Sequence, residues 1–319
     1  MISFIIIGKN ESIKIYNCIK SVVDFINFNK IVYYEIIYVD SDSKDDSIVM
    51  ANKIKGVRIV KLVGNVNAAI ARNEGAKISQ GNFLYFVDGD MEIYSSFYNI
   101  VFDSSGKLKY DFVSGEFISY NYINGEFVSS EAYHKITEDT YEPTTGGIFI
   151  VKKILWIKLN GMNEKYRRCQ DLDFGLRMSL NGFQLLRKKE IIAVHHTISY
   201  YEINRLWSDI FNFNQLYQKS VLYRDHFFNP YVWRYIKREI SLFTLITSLI
   251  LSLIFHNCYV LSIFPIFILI KCLYKYNNGV SKNIFVSYSY YFLLDIFTLF
   301  GFLFFWPNRK KRYKIEYHF

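Results

Sequence analysis

Asn82-Phe83-Leu84-Tyr85-Phe86-Val87-Asp88-Gly89-Asp90 is an aromatic and β-branched run that ends on two carboxylates one residue apart, with Gly81 in front of it. That composition between glycines predicts a buried strand. A buried strand that delivers two acids to its exit is costly unless a cation meets them there. A divalent metal with oxygen ligands satisfies that need and also holds a phosphate-bearing ligand. In open α/β sheets, ligands of this kind sit outside the carboxyl ends of strands. Asp-Gly alone is also a common turn dipeptide, so the surroundings have to decide.

On the N-terminal side, apolar runs alternate with helical spacing. Residues 2–7 read as a strand ending at Gly8, and residues 11–26 carry Ile15, Ile19, Val22, Val23 and Ile26 on one helical face. Residues 33–39 form a second strand ending at Asp40, followed by a segment dense in turn and N-cap residues that introduces a helix over 48–54. A third strand over 57–62 and a helix over 68–78 complete the approach to the central stretch. Alternation of this kind predicts a mostly parallel sheet with helices on both faces. No G-x-G-x-x-G follows the first strand, which argues against a dinucleotide-binding Rossmann domain.

On the C-terminal side, residues 112–128 change to short alternating strands around an Asn124-Gly125 turn, the pattern of a hairpin. Thr144-Thr145-Gly146-Gly147 leads into a strand over 148–151 and a helix over 154–159. After a loop over 161–168, Gln170-Asp171-Leu172-Asp173 starts a helix through Leu180, and a last strand over 183–194 ends at His195-His196.

Composition divides the 319-residue chain further. The formal charge of +9 gathers late, at Arg234, Lys237 and Arg238, at Lys271, Lys275 and Lys282, and in Arg309-Lys310-Lys311-Arg312. This distribution suits an anionic membrane surface, and no soluble face interleaves basic and aromatic residues as nucleic-acid binding requires. Residues 240–255 and 259–270 are uncharged and apolar, each short for a full span, and read as a helical hairpin extended by flanking Trp and Tyr. Residues 284–306 are long enough to cross, but they contain Asp295 and would put the basic end outside, so an interfacial or re-entrant helix is the preferred reading. Residues 204–223 are patterned as an amphipathic helix. The expected organisation is therefore a catalytic domain over 1–203, connecting helices over 204–239, membrane-associated helices over 240–306 and a basic tail over 307–319. Four cysteines with no paired spacing and the lack of a basic leader fit a membrane protein whose catalytic domain is cytoplasmic.

In their order, these motifs resemble the inverting glycosyltransferases of family two, which have the GT-A fold. The resemblance rests on Ile7-Gly8-Lys9-Asn10-Glu11, Val39-Asp40-Ser41-Asp42-Ser43-Lys44-Asp45, Ala71-Arg72-Asn73-Glu74-Gly75-Ala76, Asp88-Gly89-Asp90, Gly146-Gly147 and Gln170-Asp171-Leu172-Asp173, and covers about residues 1–200. It implies an α/β GT-A domain followed by membrane helices. It also implies transfer of a sugar from a nucleotide diphosphate, UDP-sugars foremost, to a lipid-linked or glycan acceptor. Ile7, Lys9, Glu11, Asp40, Asp42, Arg72, Asp88 and Gly147 would bind the nucleotide sugar, Asp40 by reading a pyrimidine N–H. Asp90 with Asp88, and His195 or His196, would hold Mg2+ or Mn2+. Asp171 would be the general base, with Gln170 and Asp173 in the acceptor site. Two positions depart from the family pattern: Lys9 stands where relatives often stack an aromatic on uracil, and Gln170 replaces a Glu. Two other readings remain, a polyprenyl-phosphate glycosyltransferase and a non-catalytic membrane scaffold.

Overall fold

The N-terminal alternation folds as β1 (Ile2–Gly8), α1 (Ser12–Phe28), β2 (Tyr34–Asp40), α2 (Ser47–Asn52), β3 (Val57–Gly64), α3 (Ala68–Ile78) and β4 (Phe83–Asp88). These elements come from a computed structural model, which describes residues 1–123, 125–198, 207, 211, 217–279, 283–307 and 313–318. The chain divides into two compact units, Met1–Thr197 with Asn308–Phe319, and Ile198–Pro307.

In the first unit, β3, β2, β1 and β4 lie side by side and parallel. Because side chains alternate across a strand, β1 feeds two cores. Phe4 and Ile6 pack with Ile15, Ile19 and Val22 of α1, while Ile5 and Ile7 pack with Ala69 and Ile70 of α3. Helix α3 comes so close to the sheet that a Cβ at Gly75 would run into the Ile5 and Val39 side chains, which is why glycine stands there. The register sets Gly8 beside Asp40 and Ile7 beside Asp88, so three strand ends deliver their last residues to one rim.

The sheet continues past β4 with antiparallel strands. After β5 (Met91–Ile93) and α4 (Phe97–Val101), β6 (Phe112–Ile123) pairs with β7 (Glu126–Ala132) as the expected hairpin. Asn124 of its turn lies outside the described residues. Then follow β8 (Thr140–Glu142), β9 (Phe149–Lys152), α5 (Lys153–Lys158), α6 (Gln170–Leu180) and β10 (Leu185–Ile198). With a last strand, β11 (Tyr313–His318), the strand order is β11-β3-β2-β1-β4-β9-β6-β10-β5, with β7 on β6 and β8 on β10.

Three features differ from the sequence expectation. The two carboxylates do not close the central strand together: β4 stops at Asp88, Gly89 turns, and Asp90 leads straight into β5. Strand β10 runs on through His195 and His196 to Ile198, because β5 pairs with it there. The C-terminal segment is more than a basic tail: Tyr313–His318 forms β11, antiparallel to β3 along the sheet edge. Tyr313 and Ile315 cover the α3-side core, and the Tyr313 hydroxyl donates to Glu74 at 2.8 Å.

The second unit is helical: Gln218–Asp225, Trp233–Ile236, Ile240–Phe255, Ile263–Asn277 and Ile284–Phe304. Most of the amphipathic stretch over 204–223 lies outside the described residues. Cys258–Asn277 and Ile284–Phe304 are each long and apolar enough to cross a membrane. Ile240–Phe255 reaches that length only together with Pro230–Ile236, across a bend of 85°. Leu242, Leu245, Phe264, Ile268 and Cys272 pack into a small core. Leu253, Ile254, Phe255, Ile266 and Ile270 are apolar side chains left exposed on these helices.

Candidate active site

Helix α3 starts at Asn67, whose side chain accepts from the Ile70 amide at 3.0 Å and donates to the carbonyls of Glu164 and Tyr166. This double anchoring sets the pitch of the helix so that Arg72 points inward and is 3% exposed. Its guanidinium donates to Asp88 Oδ1 at 2.5 Å, a charge-assisted bond. The Arg72 Nε is buried with no partner among the described residues. From the other side Gly147 lies against the same carboxylate, with no room for a Cβ. Burial pushes the Asp88 carboxyl up to about 6, opposed by Arg72 and His195 and reinforced by the charges of Asp90 and Asp171. Those five side chains therefore share one electrostatic neighbourhood.

Asp90 sits one turn beyond. His195, brought opposite Met91 by the β10–β5 register, places Nε2 3.2 Å from Asp90 Oδ2. Burial would raise the Asp90 carboxyl, but the hydrogen bond and charge of His195, with Lys14 behind it, hold it below the usual carboxylate range. Asp90 in turn holds the His195 imidazole above its ordinary value, against the effect of burial. His195 Nδ1 is buried without a partner among the described residues. His196 faces the opposite side of the strand, as alternation requires. It is held by Glu92 Oε1 at 3.0 Å and the Tyr122 hydroxyl at 3.0 Å. Lys14 of α1 donates to the His196 carbonyl at 3.1 Å and pairs with Glu11 at 3.3 Å. Burial, with Asp90 adding to it, raises Glu11 to about 7.

On the rim of β1 and β2, Ile7 gives its carbonyl to the Gly89 amide at 2.7 Å, which fixes the Asp88-Gly89-Asp90 turn. Asp40 is fully buried; it accepts from the Tyr38 hydroxyl and the Ser43 amide, both at 2.9 Å. Asp42, in a left-handed turn, is drawn down by its hydrogen bond from Lys44, and the charge of Lys9 reaches it. Asp171 is the second residue of α6 and accepts from Thr144 Oγ1 at 3.0 Å. The neighbouring Gln170 has its Oε1 buried without a partner among the described residues. Asp173 is placed elsewhere: it is buried against Arg177, at 2.9 Å, and that arginine ties down the carbonyls of Leu159 and Gly161. Asp173 thus supports a loop behind α6.

Sequence reasoning left out Lys14, Glu92, Tyr122, Thr144 and Arg187. A lysine on a helix is ordinarily solvated, and the partners of the other four lie far along the chain. The proposed metal set of Asp88, Asp90, His195 and His196 does not converge on one point. Arg72 takes Asp88 and Glu92 takes His196, and no group of three His, Cys, Asp or Glu side chains among the described residues is arranged to hold an ion. What remains is Asp90 with His195, an oxygen and nitrogen pair. Two protein ligands fit a Mg2+- or Mn2+-type ion that takes its other ligands from water and phosphate oxygens.

The sequence profile described as Glycosyl transferase family 2 matches residues 3–175. Among solved structures, GalNAc-T7 with UDP, GalNAc and Mn2+ is similar at a TM-score of 0.52 and 15% identity, over 63% of this chain and 44% of that one. S. aureus TarS is similar at a TM-score of 0.48 and 17% identity, over 69% of this chain and 64% of that one. The chain thus spans less than two thirds of either. TarS in complex with UDP-GlcNAc gives 16% identity and a TM-score of 0.48, over 71% of this chain and 72% of that one. A comparison with the curated proteins finds no match. At these identities the likeness is one of fold: the α/β unit is a GT-A domain.

Proposed function

The chain belongs to glycosyl transferase family 2, and from that membership we propose that it is a membrane-anchored enzyme moving a sugar from a nucleotide diphosphate to a lipid-linked acceptor, with inversion. Assembly of a surface polysaccharide or glycolipid is the process this reaction serves. The observation that carries the reading is the shared rim: Arg72 pairs with Asp88, Gly147 packs against the same carboxylate, and the loop that leads into Gly147 holds Asp171 through Thr144. This arrangement supports a donor grip and a proton acceptor at one place. GalNAc-T7, which shares the fold, is solved with UDP and Mn2+, and this supports a UDP-sugar and a divalent cation here.

In this account Asp40 accepts from the pyrimidine N–H, and Lys9, at the edge near Asp42, takes the place of a stacking ring. Arg72 holds Asp88 ionised and oriented toward the sugar. Asp90 and His195 would hold the cation, which when bound supplies Lewis-acid stabilisation of the departing diphosphate. Asp171 accepts the proton of the acceptor hydroxyl as that oxygen bonds to the anomeric carbon. The bond to the diphosphate breaks on the opposite face, and its electron pair leaves with the phosphate. One base and in-line displacement give inversion.

We assign residues 1–203 with Tyr313–His318 to the catalytic domain, 204–239 to a connecting segment and 240–306 to a membrane anchor. The exposed apolar helices support an acceptor that is itself in the bilayer, met from the cytoplasmic side. The test is turnover by the full-length protein in nanodiscs with a panel of nucleotide sugars, with and without Mn2+, against lipid-linked glycans and polyprenyl phosphate. Cation-dependent transfer to a hydroxyl acceptor, with the anomer inverted by NMR, is the expected result. Failure to turn over or hydrolyse any nucleotide sugar would favour a scaffold. Full activity of Asp171→Asn with polyprenyl phosphate would move the reading to direct lipid-phosphate glycosylation, because that acceptor is already ionised.

A further inference from the structure

We infer that Arg187 and Thr144 form a positioning device for Asp171, in which a buried guanidinium fixes a loop so that the Thr144 hydroxyl holds one carboxylate oxygen and leaves the other for the acceptor. The inference rests on the reading of Asp171 as general base.

Arg187 is fully buried in β10, where the chain can keep a charge only if its donors are met. Each of its three nitrogens has a partner: Nε donates to Glu142 at 2.7 Å, one terminal nitrogen donates to Ser114 Oγ at 3.2 Å and the Gly115 carbonyl at 3.3 Å, and the other donates to the Thr144 carbonyl at 3.1 Å. One side chain thus joins β6, β8 and the loop that follows β8. The planar fork imposes its own geometry on those partners, which an ammonium would not. Glu142 is locked at one end of that loop by the ion pair and by the β8–β10 register, and Pro143 fixes its own φ. The Thr144 carbonyl is then held by Arg187 and its hydroxyl is directed to Asp171 Oδ2 at 3.0 Å.

Asp171 needs such a hold. It lies two residues after Cys169, a non-glycine residue at φ 64°, on the first turn of α6, where no side-chain cap fixes the helix start. Its Oδ1 carries no hydrogen bond among the described residues. A donor to Oδ2 selects one rotamer of the carboxylate. The same loop continues into Gly147, against Asp88, so Arg187 sets the spacing between the base and the donor-side acid.

The experiment uses the full-length protein and three variants, Thr144→Val, Thr144→Ser and Arg187→Lys, with Asp171→Asn as reference. Thr144→Val keeps the shape but removes the donor. Its kcat is expected to fall about 10- to 100-fold with the KM for nucleotide sugar unchanged. Thr144→Ser, which restores the hydroxyl, should restore kcat, and Arg187→Lys should reproduce the Thr144→Val loss of kcat with KM again unchanged. UDP-Mn2+ binding and thermal melting of each variant establish that it is folded. Should Asp171→Asn be inactive while Thr144→Val keeps the wild-type kcat, the positioning device is refuted and the base reading stands. Should Asp171→Asn itself retain activity toward a hydroxyl acceptor, the base reading fails first. A rise in KM equal to the loss in kcat would place Thr144 on the donor side and also overturn the inference.

Discussion

Replacing Arg72 by methionine tests the electrostatics of the rim most sharply, because the substitution keeps volume and removes charge. In the native protein Asp88 lies near 6 with the guanidinium 2.5 Å away. At about pH 7.5 it is ionised, and neutralising it costs roughly 2 kcal/mol from the gap of about 1.5 pH units. Once Arg72 is gone, the carboxyl escapes the uncompensated charge by taking a proton, so the stability loss is capped near that figure. Solvent reduces it further, since the Asp88 side chain is 32% exposed; about 1–2 kcal/mol remains. For a unit of this size that corresponds to a Tm lowered by roughly 2–8 °C. Activity should fall much further, by about 100- to 1,000-fold, because a neutral Asp88 no longer orients the donor. Raising the pH should recover part of it as Asp88 ionises. The assay is differential scanning fluorimetry and nucleotide-sugar turnover from pH 6 to 9. A variant with wild-type melting at every pH, or with activity that declines as pH rises, would refute the pairing.

Other outcomes follow from the same geometry. Glu11 and Asp88, raised from their ordinary 4.5 and 3.8 to about 7 and about 6, bind protons in the native state that the unfolded chain has released. Their contribution is therefore fully present below about pH 4 and is lost as pH rises through about 7, so between these limits it favours folding less and less. Added Mn2+ and UDP should flatten that decline, measured by Tm against pH; a decline unchanged by the additions would contradict the site. His195→Ala should weaken Mn2+-dependent UDP binding at least about tenfold. His196→Ala should spare that binding and cost about 1–2 kcal/mol by losing the bonds to Glu92 and Tyr122, read by denaturant melts. Gly147→Ala forces a methyl into the Asp88 carboxylate and should destabilise the domain by about 1–3 kcal/mol while abolishing turnover, read by denaturant melts and nucleotide-sugar turnover.

What could be read from the chain was what nearby residues encode together. The strand through Leu84 and Phe86 and the acids at its end declare themselves by local pattern, as does the helix that carries Arg72. The hydroxyl behind Asp171 could not be read, because Thr144 is 27 residues away and its orientation depends on Arg187, 43 residues further on. His195 and His196 look equivalent in sequence; only the register with Met91 decides which one meets Asp90. Asp173 resembles its neighbour Asp171 in the acidic first turn, yet the Arg177 four residues on claims it, a helical spacing visible from the start. Strand β11 was signalled by the alternation of Tyr313 and Ile315 with Lys314 and Glu316, but the basic run before it drew the segment toward a solvated tail.

Whether a cation held at Asp90 grips the donor is decided by isothermal titration of UDP-sugars into the full-length protein, with and without Mn2+, for wild type and Asp90→Ala. The expected result is saturable binding that requires the cation and disappears in Asp90→Ala. Equal binding without the cation, or undiminished binding in Asp90→Ala, would contradict it.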